Sequence, residues 1–412
     1  MKDCFGREID YLRISITDRC NLRCRYCMPD GMSGKLCHED VLRYEEFLRI
    51  VRAASRLGIR HLKVTGGEPL VRRGCPAFIG ALKAVEGIQT VTLTTNGLLL
   101  RENLDALVQA GVDGINVSLD TTDPQQYRLI TGDSGAGGAE EASAALLEAA
   151  KRGIRVKVNA VTMPGTDVLS LISFAREHPV DVRFIEMMPI GYGRLFPDSD
   201  NRRLIARLAE AFPDLEPESE AALELLWEAV GREKAFSFAE RHSLERITKK
   251  HGEGPAVYFH IPGYQGSIGF ISAVHGKFCS SCNRIRLTST GFLKTCLCYD
   301  QGADLRAVLR DAGPDSRPGA ASDSGRRVKQ TAGCAERAAG CTEWTAGCTD
   351  RTSGCAEQTA GCTEQTADCA GLDRDLQLEE VMRAAILKKP AAHCFETPDQ
   401  MTEHHEMSQI GG

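Results

Sequence analysis

Cys20, Cys24 and Cys27 stand in the pattern C-x-x-x-C-x-x-C, and Cys279, Cys282 and Cys296 form a second set, a C-x-x-C followed after thirteen residues by a third cysteine. A structural zinc site usually closes with four ligands and a redox disulfide uses two, so neither accounts for the first set. Three thiolates around an iron–sulfur cluster would leave one iron open to an exchangeable ligand. The second set leaves two readings open, because Cys298 is at hand to close a four-cysteine zinc knuckle that could not hold a substrate. The intervening NRIRLTSTG reads as a strand with Arg284 and Arg286 on one face. Those two guanidiniums are either a solvated pair or the holders of an anionic ligand.

The elements that must position these thiols are legible between Asp10 and Pro189. Strand-like runs YLRISIT, HLKVTG, VTLTTNG, GINVSLD, RVKVNAV and VRFIEMM alternate with helical patterns such as YEEFLRIVRAASRLGI, ENLDALVQAG and AEEASAALLEAAKRG. Strands alternating with helices give βαβ units and a parallel sheet. Six of them predict an α/β fold, a partial (β/α)6 barrel of TIM type with active residues at the carboxyl ends of its strands. Later runs, AVYFHIP, SIGFISA and RIRLTST, predict short antiparallel strands in a smaller C-terminal cluster-binding domain. The expected division is residues 1–215 for the barrel, 216–252 for a charged helical insertion, 253–312 for the second cluster domain, 313–371 for a low-complexity insertion, and 372–412 for a last helix and Gly-Gly tail.

The chain has 412 residues, a formal net charge of -6 and 17 cysteines. An acidic chain is not a general nucleic-acid binder, so any anionic ligand needs a local basic pocket. No run of eighteen apolar residues and no secretion signal occurs, which predicts a soluble cytoplasmic protein with no membrane partner. Cys4, Cys37, Cys75 and Cys394 stand alone and read as small buried apolar residues. Cys334, Cys341, Cys348, Cys355, Cys362 and Cys369 recur every seven residues, each preceded by Gly or Asp. Such a position buries little area, so the tract is expected to be disordered; a thiol-rich metal-binding arm is the other reading.

With Tyr26 ahead of its last cysteine, the first set resembles the signature of the radical S-adenosylmethionine superfamily. The resemblance implies a cluster whose open iron chelates S-adenosylmethionine and, once reduced, yields methionine and a 5′-deoxyadenosyl radical. It also implies that Tyr26, Gly67 in GGEP, Ser118 in NVSLD and Met188 in RFIEMM contact S-adenosylmethionine. From DYLRISITDRCNLRCRYCMP through CNRIRL to the Gly411-Gly412 tail, the chain resembles the GTP 3′,8-cyclase family over residues 1 to about 312 and about 372 to 412.

That resemblance implies two [4Fe-4S] clusters, the second on Cys279, Cys282 and Cys296, with its open iron meeting guanine. It implies that GTP contacts Arg13, Lys63, Thr94, Lys157, Arg284, Ile285 and Arg286, with Arg183 a further basic candidate. Lys63 stands where the family more often has Arg, and His61 where Lys is common. The implied reaction forms (8S)-3′,8-cyclo-7,8-dihydroguanosine 5′-triphosphate by attack of a ribose C3′ radical on guanine C8, the first step of molybdenum cofactor biosynthesis. The implied partners are an electron donor such as flavodoxin or ferredoxin, a downstream cyclic pyranopterin monophosphate synthase, and a second copy in a homodimer. A radical maturase of peptides, an iron–sulfur electron carrier and a zinc-organised binding module are the competing readings.

Overall fold

The computed structural model describes residues 1–31, 36–132, 137–165, 168–196, 199–231, 251–310 and 362–410, with the helical backbone alone for 362–372. Most of the cysteine tract and Gly411-Gly412 lie outside these residues. Among the described residues no helix is long and apolar enough to cross a membrane. Contacts divide the chain into two units, 1–309 with 374–412, and 310–373. The first holds everything described below unless stated.

Its strands β1 (Tyr11–Ser15), β2 (His61–Thr65), β3 (Thr90–Thr95), β4 (Gly114–Ser118), β5 (Arg155–Val161) and β6 (Asp181–Ile185) pair in parallel in chain order. Between them run α1 (Tyr44–Arg56), α2 (Cys75–Lys83), α3 (Leu100–Gln109), α4 (Pro124–Thr131), α5 (Gly138–Lys151) and α6 (Val168–Glu177). Period-two alternation sends Leu12, Ile14, Leu62, Val64, Val156 and Val158 into the core under these helices. The same alternation leaves Arg13, Lys63, Asn116, Ser118, Asn159 and Arg183 for the other face. This is the six-unit partial barrel expected from the sequence.

The expected second domain is not separate. After α7 (Asn201–Ala211), the strand β7 (Glu216–Pro217) and helix α8 (Glu220–Val230) lead to β8 (Val257–His260) and β9 (Ile268–Ile271). Here β9 joins β6 in parallel, and β8 and β7 follow antiparallel at that edge. On the opposite edge β10 (Arg284–Leu287) joins β1 in parallel, then β11 (Phe292–Lys294) and β12 (Gly302–Asp304) follow antiparallel. One twelve-stranded sheet results, with eight parallel strands at its centre. Within the expected charged helical insertion, Ser219 caps α8, and Leu223 and Leu226 are buried, so 216–230 packs into the fold.

Short α9 (Leu305–Arg310) precedes the undescribed tract, and α10 (Cys362–Leu387) follows it. This last helix begins ten residues ahead of the Leu372 expected from the sequence, in CTEQTADCAG, where Ala, Glu and Gln favour helix although Thr, Asp and Gly do not. Within the first unit Leu378, Met382 and Ile386 are fully buried one turn apart, and Asp375 and Glu379 form ion pairs with Arg49 and Arg56 of α1.

Candidate functional site

Both thiol sets line one cavity of about 340 Å³. Cys20, Cys24 and Cys27 follow the carboxyl end of β1, whereas Cys279 and Cys282 precede the amino end of β10, its parallel neighbour. Cys296 comes two residues after β11, which runs antiparallel to β10 and so returns to the same end. The sets are therefore separated along the strands by the length of β1, four steps of about 3.3 Å or about 13 Å.

At the first end, close backbone approach sets the loop. Gly67 donates its N–H to Thr17 O at 2.7 Å, and a Cβ on Gly67 would come within 2.3 Å of Arg19 O. The expected methionine-binding turn is thus packed directly against the residues leading into Cys20. Glu68, 1% exposed, accepts from Leu70 N, Thr95 Oγ1 and Asn96 N at 3.0, 2.8 and 2.7 Å, and the Asn96 amide reaches Asn21 Oδ1 at 2.7 Å. On the other side Tyr26 OH donates to Asp120 at 2.8 Å, and that carboxylate also accepts from Val161 N at 2.7 Å. Two carboxyls at strand ends brace the thiol loop, and burial pushes Glu68 up to about 7 and Asp120 up to about 6. Tyr26, Gly67, Ser118 and Met188, the expected S-adenosylmethionine contacts, all line this cavity.

Between the ends lies a row of cations. Sheet register sets Arg286 of β10 beside Arg13 of β1, and Arg13 beside Lys63 of β2. Neighbouring strands are about 4.8 Å apart, and like charges side by side on a sheet destabilise it unless something neutralises them. Lys63 makes no hydrogen bond or ion pair among the described residues. Burial, then Arg183, Arg13 and Arg284, hold its ammonium well below the usual lysine value. Burial likewise lowers Arg13 to about 10, and lowers Arg284 and Arg286. Arg183, 7% exposed, donates among the described residues only to neutral amides, Asn159 at 2.9 Å and Asn116 at 2.6 Å. Thr94 also lines the cavity, within 3.5 Å of the Asn116 amide.

Two expected GTP contacts stand elsewhere. Lys157 does not line the cavity; β6 places Asp181 beside it, and the two form an ion pair at 3.0 Å while the ammonium also donates to Tyr258 OH at 2.9 Å. Ile285 is fully buried, because alternation sends Arg284 and Arg286 inward and the residue between them into the core. Only its backbone remains for a ligand. His61 pairs with Thr90 at 2.9 Å.

At the second end Cys298 takes no part in the cavity. It is fully buried in a separate apolar cluster with Ile190, Cys394, Phe395, Met401 and Ile410, its sulfur 3.1 Å from that of Cys394. Cavity-facing Cys279, Cys282 and Cys296 are joined instead by Lys389, whose ammonium donates to Arg284 O at 2.9 Å and to Thr295 O. Burial raises the Cys282 thiol, but Lys389, a backbone hydrogen bond and Arg284 outweigh it and the thiol is lowered. Burial raises Cys296, burial and the Glu68 charge raise Cys20, burial with repulsion from Asp120, Cys27 and Cys20 raises Cys24, and burial with repulsion from Cys20 pushes Cys27 up to about 12.

These thiol sets fit clusters better than single ions. Four sulfurs at about 2.3 Å from one zinc lie about 3.8 Å apart. Among the described residues, only Glu186, Asp200 and His275 bring three ligand atoms within 4.8 Å of one another; neither thiol set does. Both sets are free cysteines converging on open space, the arrangement a larger inorganic core requires. The carboxylate group, by contrast, is satisfied by protein: Glu186 accepts from the backbone of Asn201, Val274 and His275 at 3.1, 2.8 and 3.0 Å.

Sequence reasoning missed Asn96, Asp120, Asn159, Lys389, His393 and Phe395, all of which line the cavity. For Asp120, next to Ser118 at a strand end, position was a usable signal. Lys389, His393 and Phe395 come from beyond the cysteine tract, with no local pattern to mark them.

Residues 14–176 match the Radical SAM superfamily, and residues 228–318 match Molybdenum Cofactor Synthesis C. The second match starts inside 216–252, so at least 228–252 is not an insertion foreign to the family. A GTP 3′,8-cyclase of Heliobacterium modesticaldum is 40% identical over 323 residues, 77% of this chain and 89% of that protein. One of Geobacter sulfurreducens is 40% identical over 319 residues, 76% and 87% respectively. A solved structure of SuiB from Streptococcus suis overlaps at a TM-score of 0.44 and 15% identity over 71% of this chain and 61% of that one, too loosely to carry an argument.

Proposed function

This chain belongs to the GTP 3′,8-cyclase family of radical S-adenosylmethionine enzymes, and from that membership we propose that its cavity holds S-adenosylmethionine at the Cys20, Cys24 and Cys27 end and GTP along the cation row. The protein is an enzyme of molybdenum cofactor biosynthesis that converts GTP to (8S)-3′,8-cyclo-7,8-dihydroguanosine 5′-triphosphate, with [4Fe-4S] clusters and S-adenosylmethionine as cofactors. When bound, these cofactors supply one-electron cleavage to methionine and a 5′-deoxyadenosyl radical that takes hydrogen from the ribose C3′ of GTP.

The chain's own residues bind, orient and enclose. Cys20, Cys24 and Cys27 would hold one cluster, and Cys279, Cys282 and Cys296 the other. Arg13, Lys63, Arg284 and Arg286, with Arg183 and Lys389, neutralise a triphosphate of about four negative charges. Lys157 joins them on leaving Asp181. Tyr26, held by Asp120, and the Gly66-Gly67 turn orient S-adenosylmethionine beside the first set. Lys389, His393, Phe395, Met407 and Ser408 close the cavity from the C-terminal segment, which keeps water from a reactive radical. Fixing both ligands between two anchored ends brings the ribose within reach of hydrogen abstraction. An external electron donor such as flavodoxin or ferredoxin, a downstream cyclic pyranopterin monophosphate synthase, a homodimer and a cytoplasmic location complete the reading.

The observation that carries it is the side-by-side row Arg286, Arg13 and Lys63 opening into the cavity shared by both thiol sets. Calorimetric titration of the cluster-loaded protein with GTP and with guanosine tests it. Affinity for GTP should exceed that for guanosine at least a hundredfold and fall with salt. Equal affinities, or none for either, would contradict the reading.

A further inference from the structure

The reaction consumes an electron that the chain does not make, so the carrier must approach the first thiol set from outside. In RCNLRCRYC, each exposed arginine is the immediate chain neighbour of a cysteine: Arg19 precedes Cys20, and Arg23 and Arg25 flank Cys24. Adjacent Cα atoms are about 3.8 Å apart, so anything seated on these side chains lies one residue from the thiolates. The loop is pinned to the end of α4, with Arg23 N donating to Thr131 O at 2.8 Å and Arg25 N to Ile130 O at 2.9 Å. This brings exposed Arg128 and Leu129, 68% exposed, within one helical turn of the loop.

Among the described residues Arg19, Arg25 and Arg128 form no ion pair, and the Arg23 guanidinium donates to the loop's own carbonyls, Cys20 O at 3.3 Å and Leu22 O at 3.1 Å. Four exposed arginines and one exposed leucine thus stand on the first thiol loop or on the helix end pinned to it, in a chain whose net charge is -6. We propose that this patch is the docking surface for an acidic one-electron carrier protein, an inference that rests on the proposed function. Charge complementarity selects the carrier: its acidic rim around an exposed redox group meets the arginines, and Leu129 supplies an apolar contact at the edge. The carrier is oxidised by one electron, and that electron is the one consumed in cleaving the sulfonium bond of S-adenosylmethionine.

Charge reversal tests it in the full, cluster-loaded protein. An Arg19→Glu/Arg25→Glu variant and, off the thiol loop, Arg128→Glu are mixed with a photoreduced acidic flavodoxin, and flavin oxidation is followed by stopped flow across a salt series. The wild-type bimolecular rate should fall steeply with salt. Arg128→Glu should lower it severalfold and the double variant about tenfold or more, flattening the salt dependence. Turnover with photoreduced deazaflavin, a small neutral reductant, should stay at the wild-type level in Arg128→Glu. Unchanged flavin oxidation rate and salt dependence in Arg128→Glu, with wild-type iron content, would overturn the docking surface, whatever the double variant does. Absence of GTP-dependent turnover with deazaflavin in the wild type would overturn the cyclase reading instead.

Discussion

Lys63 concentrates the electrostatic problem of the site in one side chain: a half-buried ammonium beside Arg13, with no partner among the described residues and a pKa driven down by burial and its cationic neighbours. A triphosphate reverses that pressure. Lys63→Met should weaken GTP about tenfold to a hundredfold in a calorimetric titration, the effect of losing a charged hydrogen bond. Gly67 is constrained differently. Its missing Cβ would strike the Arg19 carbonyl, so Gly67→Ala should displace the first thiol loop and lower the iron retained there while the second set keeps its share. The six cysteines and Gly67 that line the cavity were legible because spacing and a strand end announced them. The pairing of Lys157 with Asp181 was not legible, because nothing local shows that β6 sets the two side by side.

The strands and helices of the six βα units could be read from periodicity, whereas the two sheet edges could not, since β9 finds β6 and β10 finds β1 across long stretches of chain. Cys298 shows the same limit on a smaller scale. Spaced two from Cys296, it would share the cavity face in a continuing strand, but β11 ends at Lys294 and the chain turns Cys298 toward Cys394. Cys298→Ser should therefore leave iron and sulfide content unchanged; loss of one cluster would show it to be a ligand. The β7 and β8 edge depends on His251, which bridges Asp181 at 2.9 Å and Glu218 and stacks on Tyr258. Burial opposes its charge, yet the two carboxylates win and raise its pKa above 6.5. With the folded value above the unfolded one, this stabilisation is complete below about pH 6.5 and is lost as pH rises through the raised value. His251→Gln should remove that part of the pH dependence of unfolding, measured by denaturant titration from pH 5 to 9.

As a whole, the molecule joins in one sheet two thiol sets far apart in sequence and then returns the chain from beyond the cysteine tract to line the cavity between them. Composition and cysteine spacing announced both sets and the need for a local basic pocket. They did not announce that one cavity would contain all three, because that follows from β10 lying beside β1. Since residues 1–309 and 374–412 form a unit by themselves, deleting 313–371 should leave iron content and turnover intact. A large loss of turnover with both clusters retained would instead give the tract a part in the reaction. The central claim is tested most directly by product analysis of anaerobically reconstituted wild-type protein given dithionite, S-adenosylmethionine and GTP. About eight irons per chain, with 5′-deoxyadenosine and a cyclised guanosine triphosphate formed together and only when GTP is present, is the predicted result. About four irons with a tightly held zinc, and no GTP-dependent cleavage of S-adenosylmethionine, would contradict it.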